Sequence, residues 1–162
     1  MPMQGYMKLK GQKTGEIKGS VTQKGREGQI AFIAFDHSVI SPRDAATGLP
    51  TGKRMHKPIV ITKEIDKSTP LLYKVLVNNE NLSEVEFLFW RPAGTGSEVQ
   101  YYTIKLTNAN IASMKTFFPN TRIPLNSPLN HMDEVAFTYQ KIEWTWKDGG
   151  ITADDDWEAP VA

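Results

Sequence analysis

Cysteine is absent from the 162-residue sequence. Neither a disulfide nor a thiolate metal site can therefore contribute to the fold, which must be stable in reducing and oxidising compartments alike. A chain of this length can bury roughly 70% of the surface that its unfolded form exposes. We therefore expect a single domain over residues 1–162, with a core that needs no covalent cross-link.

Long apolar runs are also missing. The opening stretch, MPMQGYMKLKGQKTG, lacks the apolar segment of a secretory signal. No later stretch approaches the ~20 apolar residues of a membrane-spanning helix. We therefore expect a soluble protein that is made in the cytoplasm and does not insert into a membrane.

The chain also lacks an excess of either charge. Lysine and arginine number 19 against 18 acidic residues, and the isoelectric point is about 7.9. A nucleic-acid-binding domain generally has an isoelectric point above roughly 9, so we expect no nucleic-acid partner. Any electrostatic recognition must come from local clusters of charge.

Apolar and polar residues alternate through most of the chain, which is the period of a strand with one buried face. The pattern predicts a mainly β protein with strands over residues 6–10, 29–40, 57–65, 84–90, 99–106, 110–118 and 133–146. The parity changes along the last of these strands. Val135 and Phe137 share one parity, whereas Ile142 and Trp144 share the other. This change predicts a bulge or corner near residues 140–141, as in a sheet that curls into a barrel.

One segment, STPLLYKVLVNNE at residues 68–80, has the period of a helix instead. Thr69 is placed to cap it, Pro70 suits the first helical position, and Leu72 and Val75 are spaced to share one face. The segment predicts one short helix that flanks the barrel.

Between the second and third predicted strands lies a long polar stretch, SPRDAATGLPTGKRMHKP. Structureless loops of this length are uncommon in compact domains and are usually functional or disordered. The stretch predicts a long protruding loop over residues 41–57. Its end crowds four basic side chains into five positions, namely Lys53, Arg54, His56 and Lys57.

Catalytic groups are not apparent. Asp36, His37 and Ser38 are consecutive in a strand, so their side chains point to alternating faces and cannot act together as a triad. His56 and His131 have no carboxylate at metal-ligand spacing. We therefore predict that the protein is not an enzyme and that it needs no metal or cofactor.

The acidic C-terminal tail, residues 148–162, places three aspartates before Trp157. Such an end is ordinarily solvated and partly disordered. A tryptophan, however, is costly to leave in water, so docking of this tail onto another surface is an alternative. The sequence leaves both possibilities open.

Three stretches together resemble the haemolysin-coregulated protein (Hcp) family of bacterial type VI secretion systems. They are FDHSVISPRDAATGLPTGKRMHKPIVITKEIDKSTPLLYKVL, YYTIKLTNANI and FTYQKIEWTW. The most specific parts are TGKRMHKP through DKSTPLLY, the pattern Y-x-I-x-L, and the closing KIEWTW. The likeness covers nearly the whole chain.

The resemblance implies two curled antiparallel sheets in a β-barrel with one short flanking α-helix, a fold shared with phage tail-tube proteins. It implies a homohexameric ring, and rings that stack into the inner tube of the secretion machine. The implied partners are sheath proteins, a VgrG-like spike and effector proteins, which the ring carries as a chaperone. It also implies a virulence-associated protein that is secreted through the type VI system without a signal peptide.

Stacked rings need heterologous contacts, in which two unlike patches meet. A cationic loop and an anionic tail supply such patches, so we predict intersubunit contacts at both. The predicted contact residues are Arg43, Asp44, Lys53, Arg54, His56, Lys57, Asp155, Asp156 and Trp157. The alternative is that these charges merely keep a long loop soluble.

A rival hypothesis is a small β-barrel whose interior binds a small apolar ligand. Mass separates the two hypotheses. A lone barrel has the 18.2 kDa of one chain, whereas a ring has about six times that mass.

Overall fold

The computed structural model describes residues 3–157, which form eleven strands and one α-helix. The strands are β1 (Gly5–Gly11), β2 (Gly15–Ile17), β3 (Ile30–Phe32), β4 (Ala34–Asp36), β5 (Val39–Ile40), β6 (Met55–His56), β7 (Ile59–Glu64), β8 (Leu82–Pro92), β9 (Glu98–Phe117), β10 (Met132–Trp146) and β11 (Ile151–Asp156). The helix is α1 (Thr69–Val77), and one turn of 3-10 helix follows at Pro124–Asn126. Within residues 3–157, no helix has the length and apolar character needed to cross a bilayer.

Nine strands form one antiparallel sheet in the order β2-β1-β8-β9-β10-β7-β4, with β3 also paired to β1 and β11 to β10. Residues 30–36 bend at Ile33, so that β3 pairs with β1 while β4 pairs with β7 on the other side of the curled sheet. The predicted class, mainly β with one short helix, is confirmed. The predicted two curled sheets are one large sheet, because the long strands β9 (20 residues) and β10 (15 residues) are continuous and pair with strands at both ends of it.

The strands predicted at residues 99–106 and 110–118 are in fact one strand, β9. Asn108, between them, has a left-handed φ of 52° and donates from its side chain to Gln140 Oε1 at 3.0 Å. Pairing with β8 and β10 on both sides carries the strand through this kink. The predicted change of buried parity is observed, since Tyr139 and Ile142 are both buried. The register shift, however, lies between Ala136 and Phe137, not at residues 140–141.

The interior of the curled sheet is filled with packed apolar side chains. Phe87 and Phe137 are fully buried and meet edge to face at 5.7 Å, with Met7, Leu106 and Ile142 in the same cluster. The main recesses of the described residues are open grooves; one of about 240 Å³ is lined mostly by lysine and glutamate. This packing argues against the rival hypothesis of an apolar ligand held inside the barrel.

The helix α1 lies where the sequence predicted it, with Leu72 and Val75 buried. Its N-cap residue is Ser68, whose side chain makes no capping bond, so the prediction that Thr69 caps the helix is wrong. The hydroxyl of Thr69 instead donates to Asp133 Oδ2 at 2.6 Å. The Thr69 hydroxyl is therefore bound to a buried carboxylate, which must be hydrogen-bonded, and is not available to cap the helix.

That carboxylate belongs to a fully buried ion pair. Lys63 Nζ lies 3.0 Å from Asp133 Oδ2 and 3.1 Å from Asp66 Oδ1, and neither Lys63 nor Asp133 has exposed surface. Thr116 donates to Asp133 Oδ1 at 2.8 Å. The network joins β7, β9, β10 and the start of α1, so it fixes the helix to the sheet.

A second buried cation holds residues 18–29 against the sheet. The Arg26 guanidinium lies between the rings of Trp90 and Tyr6, at 4.0 and 4.9 Å from their centroids. It also binds Glu98 Oε2 at 3.0 Å. Arg26 is 4% exposed, so its charge is matched in a largely dry setting.

Candidate interaction surface

The predicted loop is an ordered hairpin, residues 39–57, which we call the arm. Strand β5 pairs with β6, and a further bridge joins Arg43 with Pro50. At the tip, Asp44 accepts a hydrogen bond from the Ala46 N–H at 2.9 Å, which lowers the pKa of this carboxyl below its usual value. Asp44 therefore helps to close the arm's turn, and its predicted role between subunits stays a prediction.

The arm exposes large apolar side chains. Leu49 is 63% and Met55 48% exposed, and Val39 and Ile40 are exposed as well. Apolar atoms concentrated on an ordered, projecting element are typical of a surface that another molecule covers. The contacts predicted for this segment are charged or basic side chains, although the four apolar positions can be read directly from the sequence.

At the base of the arm, Arg54 binds the C-terminal strand of its own chain. Its Nε lies 2.5 Å from Asp155 Oδ2, and its Nη2 donates to the backbone oxygen of Asp156 at 2.7 Å. Lys53 and Lys57, by contrast, are exposed. The contact between basic loop and acidic tail thus exists within one chain, and the intersubunit role of these residues stays a prediction.

His56 is the buried centre of the same contact. Its Nε2 lies 2.6 Å from Asp155 Oδ2, and its Nδ1 lies 2.8 Å from the Tyr139 hydroxyl. A neutral imidazole with its proton on Nε2 donates a hydrogen bond to Asp155 and accepts one at Nδ1 from the Tyr139 hydroxyl. Burial, and then the charge of Asp155, raise the pKa of Tyr139 well above its ordinary value, which keeps that proton in place. We call Arg54, His56, Tyr139 and Asp155 the arm latch.

The carboxylate of Asp155 is the shared acceptor of the arm latch. The hydrogen bond from Arg54, and after it that from His56, lower the pKa of Asp155 below its ordinary value. The carboxylate is therefore charged at neutral pH, as both donors require. Arg54 and His56 lie two residues apart on an extended segment, so both side chains point to the same side.

The tail that was predicted as solvated or docked is docked as far as residue 157. Residues 151–156 form β11 on β10, and the half-buried Trp157 ring lies 5.5 Å from that of His56. The surface that Trp157 meets is its own chain. Residues 158–162 of the predicted tail lie outside the described residues.

The two remaining histidines contact aromatic rings. His37 Nε2 accepts a hydrogen bond from Trp144 Nε1 at 3.2 Å, and burial lowers the pKa of His37 below its ordinary value. His131 stacks on Phe118 at 4.2 Å. Among residues 3–157, no group of three or more possible metal-binding histidine, aspartate and glutamate side chains comes together.

Comparison with known proteins supports the resemblance seen in the sequence. The family model for the type VI secretion system effector Hcp matches residues 6–146. The major exported protein of Pseudomonas aeruginosa is 41% identical over 97% of this chain and 96% of its own.

Solved structures agree with the family match. A crystal structure of an Hcp protein has a TM-score of 0.91 at 29% identity, covering 98% of this chain and 99% of the other. The Hcp1 protein from an E. coli pathovar has a TM-score of 0.84 at 37% identity, covering 94% and 97%. The chain therefore belongs to the Hcp family of type VI secretion systems, whose members are structural, secreted tube proteins.

Proposed function

We propose that this chain is a subunit of a type VI secretion inner tube. In this proposal, it assembles into homohexameric rings that stack and are exported, with effector proteins in the lumen. The observation that carries the proposal is the arm, because its hydrogen bonds order it while its large apolar side chains stay exposed on the single chain. An ordered apolar element of this kind suits burial against a second copy.

The family membership supports the rest of this proposal. We propose that a VgrG-like spike caps the tube, that sheath proteins surround it, and that the subunit passes from the cytoplasm to the outside through the type VI system. Within the tube, exposed Lys53 and Lys57 lie on the same arm as the apolar side chains. They are therefore proposed to face a neighbouring subunit or ring.

The proposal gives the chain no catalytic role. Among residues 3–157, one arrangement resembles catalytic machinery, namely Tyr139, His56 and Asp155. Its hydroxyl has a raised pKa and is buried, so the phenolate that could attack a substrate is disfavoured. The same carboxylate is bound by Arg54. These features suit a fixed contact between two segments better than proton transfer to a substrate.

Native mass spectrometry at micromolar protein is expected to show a species of about six times the 18.2 kDa subunit mass. Leu49→Ser is expected to shift most of the protein to monomer, because it removes the most exposed apolar side chain of the arm. Leu125→Ser is the matched control, since Leu125 is also exposed but lies outside the arm. Monomer alone for the unmodified protein would contradict the ring. Equal loss of rings in both variants would contradict the role of the arm.

Ring stacking is expected to weaken in Lys53→Glu combined with Lys57→Glu. Exposed ion pairs are individually weak, but a ring repeats each of them in every subunit. Arg54 is left unchanged because it holds Asp155. Sedimentation velocity should show fewer stacked rings, and added salt should act in the same direction on the unmodified protein. Lys18→Glu with Lys24→Glu changes the net charge equally and should stack normally.

If the Lys53 and Lys57 variant stacks as the unmodified protein does, the charge at the end of the arm only keeps it solvated. The proposed contact of these two lysines would then be wrong, whatever the state of the ring itself.

A further inference from the structure

The arm is separate from the main sheet. Its strands β5 and β6 pair only with each other, whereas the other nine strands of residues 3–157 share one ladder system. A two-stranded hairpin has marginal stability on its own. One backbone hydrogen bond, from the Lys57 N–H to the Ser38 oxygen at 3.1 Å, joins this hairpin to the pairing of β4 with β7. The direction in which the arm projects therefore rests on few backbone contacts.

Side chains at the base of the arm provide a further constraint. Two donors converge on Asp155 Oδ2, Arg54 Nε at 2.5 Å and His56 Nε2 at 2.6 Å. Hydrogen bonds in which one partner is charged, as the Asp155 carboxylate is here, are short and roughly twice as strong as bonds between neutral groups. The arm is thus held at the position where it leaves the sheet.

The acceptor is itself held in place by the main sheet. Asp155 lies opposite the buried Ile142 in the ladder between β11 and β10. Strand β10 also carries Tyr139, which supports His56 from its other ring nitrogen. Both ring nitrogens of His56 are therefore held through β10. Nδ1 contacts Tyr139 on that strand, and Nε2 contacts Asp155 on the paired strand β11.

We propose that Asp155 is a positioning residue for the arm, and that ring assembly depends on it although its carboxylate bonds within its own chain. This inference rests on the proposed ring. The six positions from Met55 to Leu49 span on the order of 20 Å at about 3.3 Å per residue. A tilt of roughly ten degrees at the base would then move Leu49 by on the order of 3 Å. Apolar contacts need atoms within about 4.5 Å, so such a tilt disrupts them.

The test compares Asp155→Ala with Asp154→Ala, a change of the same kind at the neighbouring residue. Asp154 is exposed and pairs with Lys141 at the surface, at 3.3 Å. Hydrogen exchange is measured on the diluted protein at the arm amides of Asp44 and Thr51, which bond within the arm. Asp155→Ala is expected to speed this exchange about 10-fold or more and to reduce the ring fraction, while Asp154→Ala changes neither.

A second pair of variants separates positioning from general stability. His56→Gln keeps an N–H that can donate to Asp155, whereas His56→Ala does not. We expect His56→Gln to form rings and to keep the slow hydrogen exchange of the arm amides. His56→Ala is expected to form fewer rings and to exchange faster in the arm, while the amides of β8 and β10 exchange as in the unmodified protein. A merely structural role would instead loosen the arm and these strands together.

Wild-type exchange of the arm in Asp155→Ala would overturn the proposal. So would a loosened arm that still forms rings at the wild-type level, because its direction would then not matter for assembly. If the unmodified protein forms no rings while Asp155→Ala alone loosens the arm, the ring fails as a function and with it the assembly role of Asp155. The positioning contact itself would then stand.

Discussion

Asp133→Ala is expected to lower the free energy of unfolding by about 3–5 kcal/mol, because breaking a buried ion pair from one side leaves the buried charge of Lys63 with Asp66 as its one remaining ion-pair partner in the network. Lys63 and Asp133 have no exposed surface, and their atoms lie 3.0 Å apart. The change also removes the acceptor of the Thr69 and Thr116 hydroxyls. Since small proteins have only about 5–15 kcal/mol of net stability, urea unfolding at neutral pH should show the loss clearly.

Lys63→Met combined with Asp133→Ala is the informative control. Removing both charges leaves no buried ion, so at least half of the lost stability should return. Glu84→Ala breaks the exposed pair with Lys105, at 3.4 Å, and should cost only about 0–1 kcal/mol. A double variant as unstable as Asp133→Ala would show that the charge of Lys63 is not the cause.

Arg26→Ala is expected to cost about 2–4 kcal/mol, as it opens a cavity between two rings and removes a bonded cation. The guanidinium contacts Tyr6 and Trp90, and Arg26 as a whole is 4% exposed, but its partner Glu98 is partly exposed and can turn to water. The expected loss is therefore smaller than for Asp133. Chemical denaturation measures it, with residues 18–29 losing hydrogen-exchange protection first.

Two further variants test whether the flat guanidinium and its burial cause this loss of stability. Arg26→Lys keeps the charge but not the flat, stacked group, so an intermediate loss is expected. Arg91→Ala removes an exposed guanidinium that lies over Tyr101 and Trp146, at 4.9 and 5.4 Å. It should cost less than about 1 kcal/mol. Similar losses for Arg26→Ala and Arg91→Ala would show that burial adds nothing to this contact.

Local sequence signals predicted the elements that local chemistry determines. Pro70 and the spacing of Leu72 and Val75 located the helix, since these depend only on near neighbours. The polar residues around Asn108 wrongly divided β9, because pairing with strands on both sides overrides a local break in alternation. Strand continuity is set by the neighbours, which the pattern of one strand does not contain.

Pairings between distant charges could not be predicted in the same way. The sequence showed that the basic segment and the acidic tail have opposite charge, but not that Arg54 meets Asp155 of its own chain. One missed signal was present. Lys63 shares its parity with the buried Ile59 and Ile61 in β7, so alternation points the lysine inward. Its partner, Asp133, lies 70 positions away and follows only from the fold.

The pairing of β1 with β8 has a consequence for how each subunit is made. Gly5 pairs with Phe89, so β1 cannot complete its pairing with β8 until the ribosome has released nearly ninety residues. Strand β7 likewise cannot pair with β10 until that later strand has been synthesised. Long-range pairing of this kind folds slowly, in about milliseconds to seconds, and leaves strand edges open to other nascent chains. Asp155 is synthesised after all of these strands, so the arm is fixed only in a chain that is already able to complete its sheet.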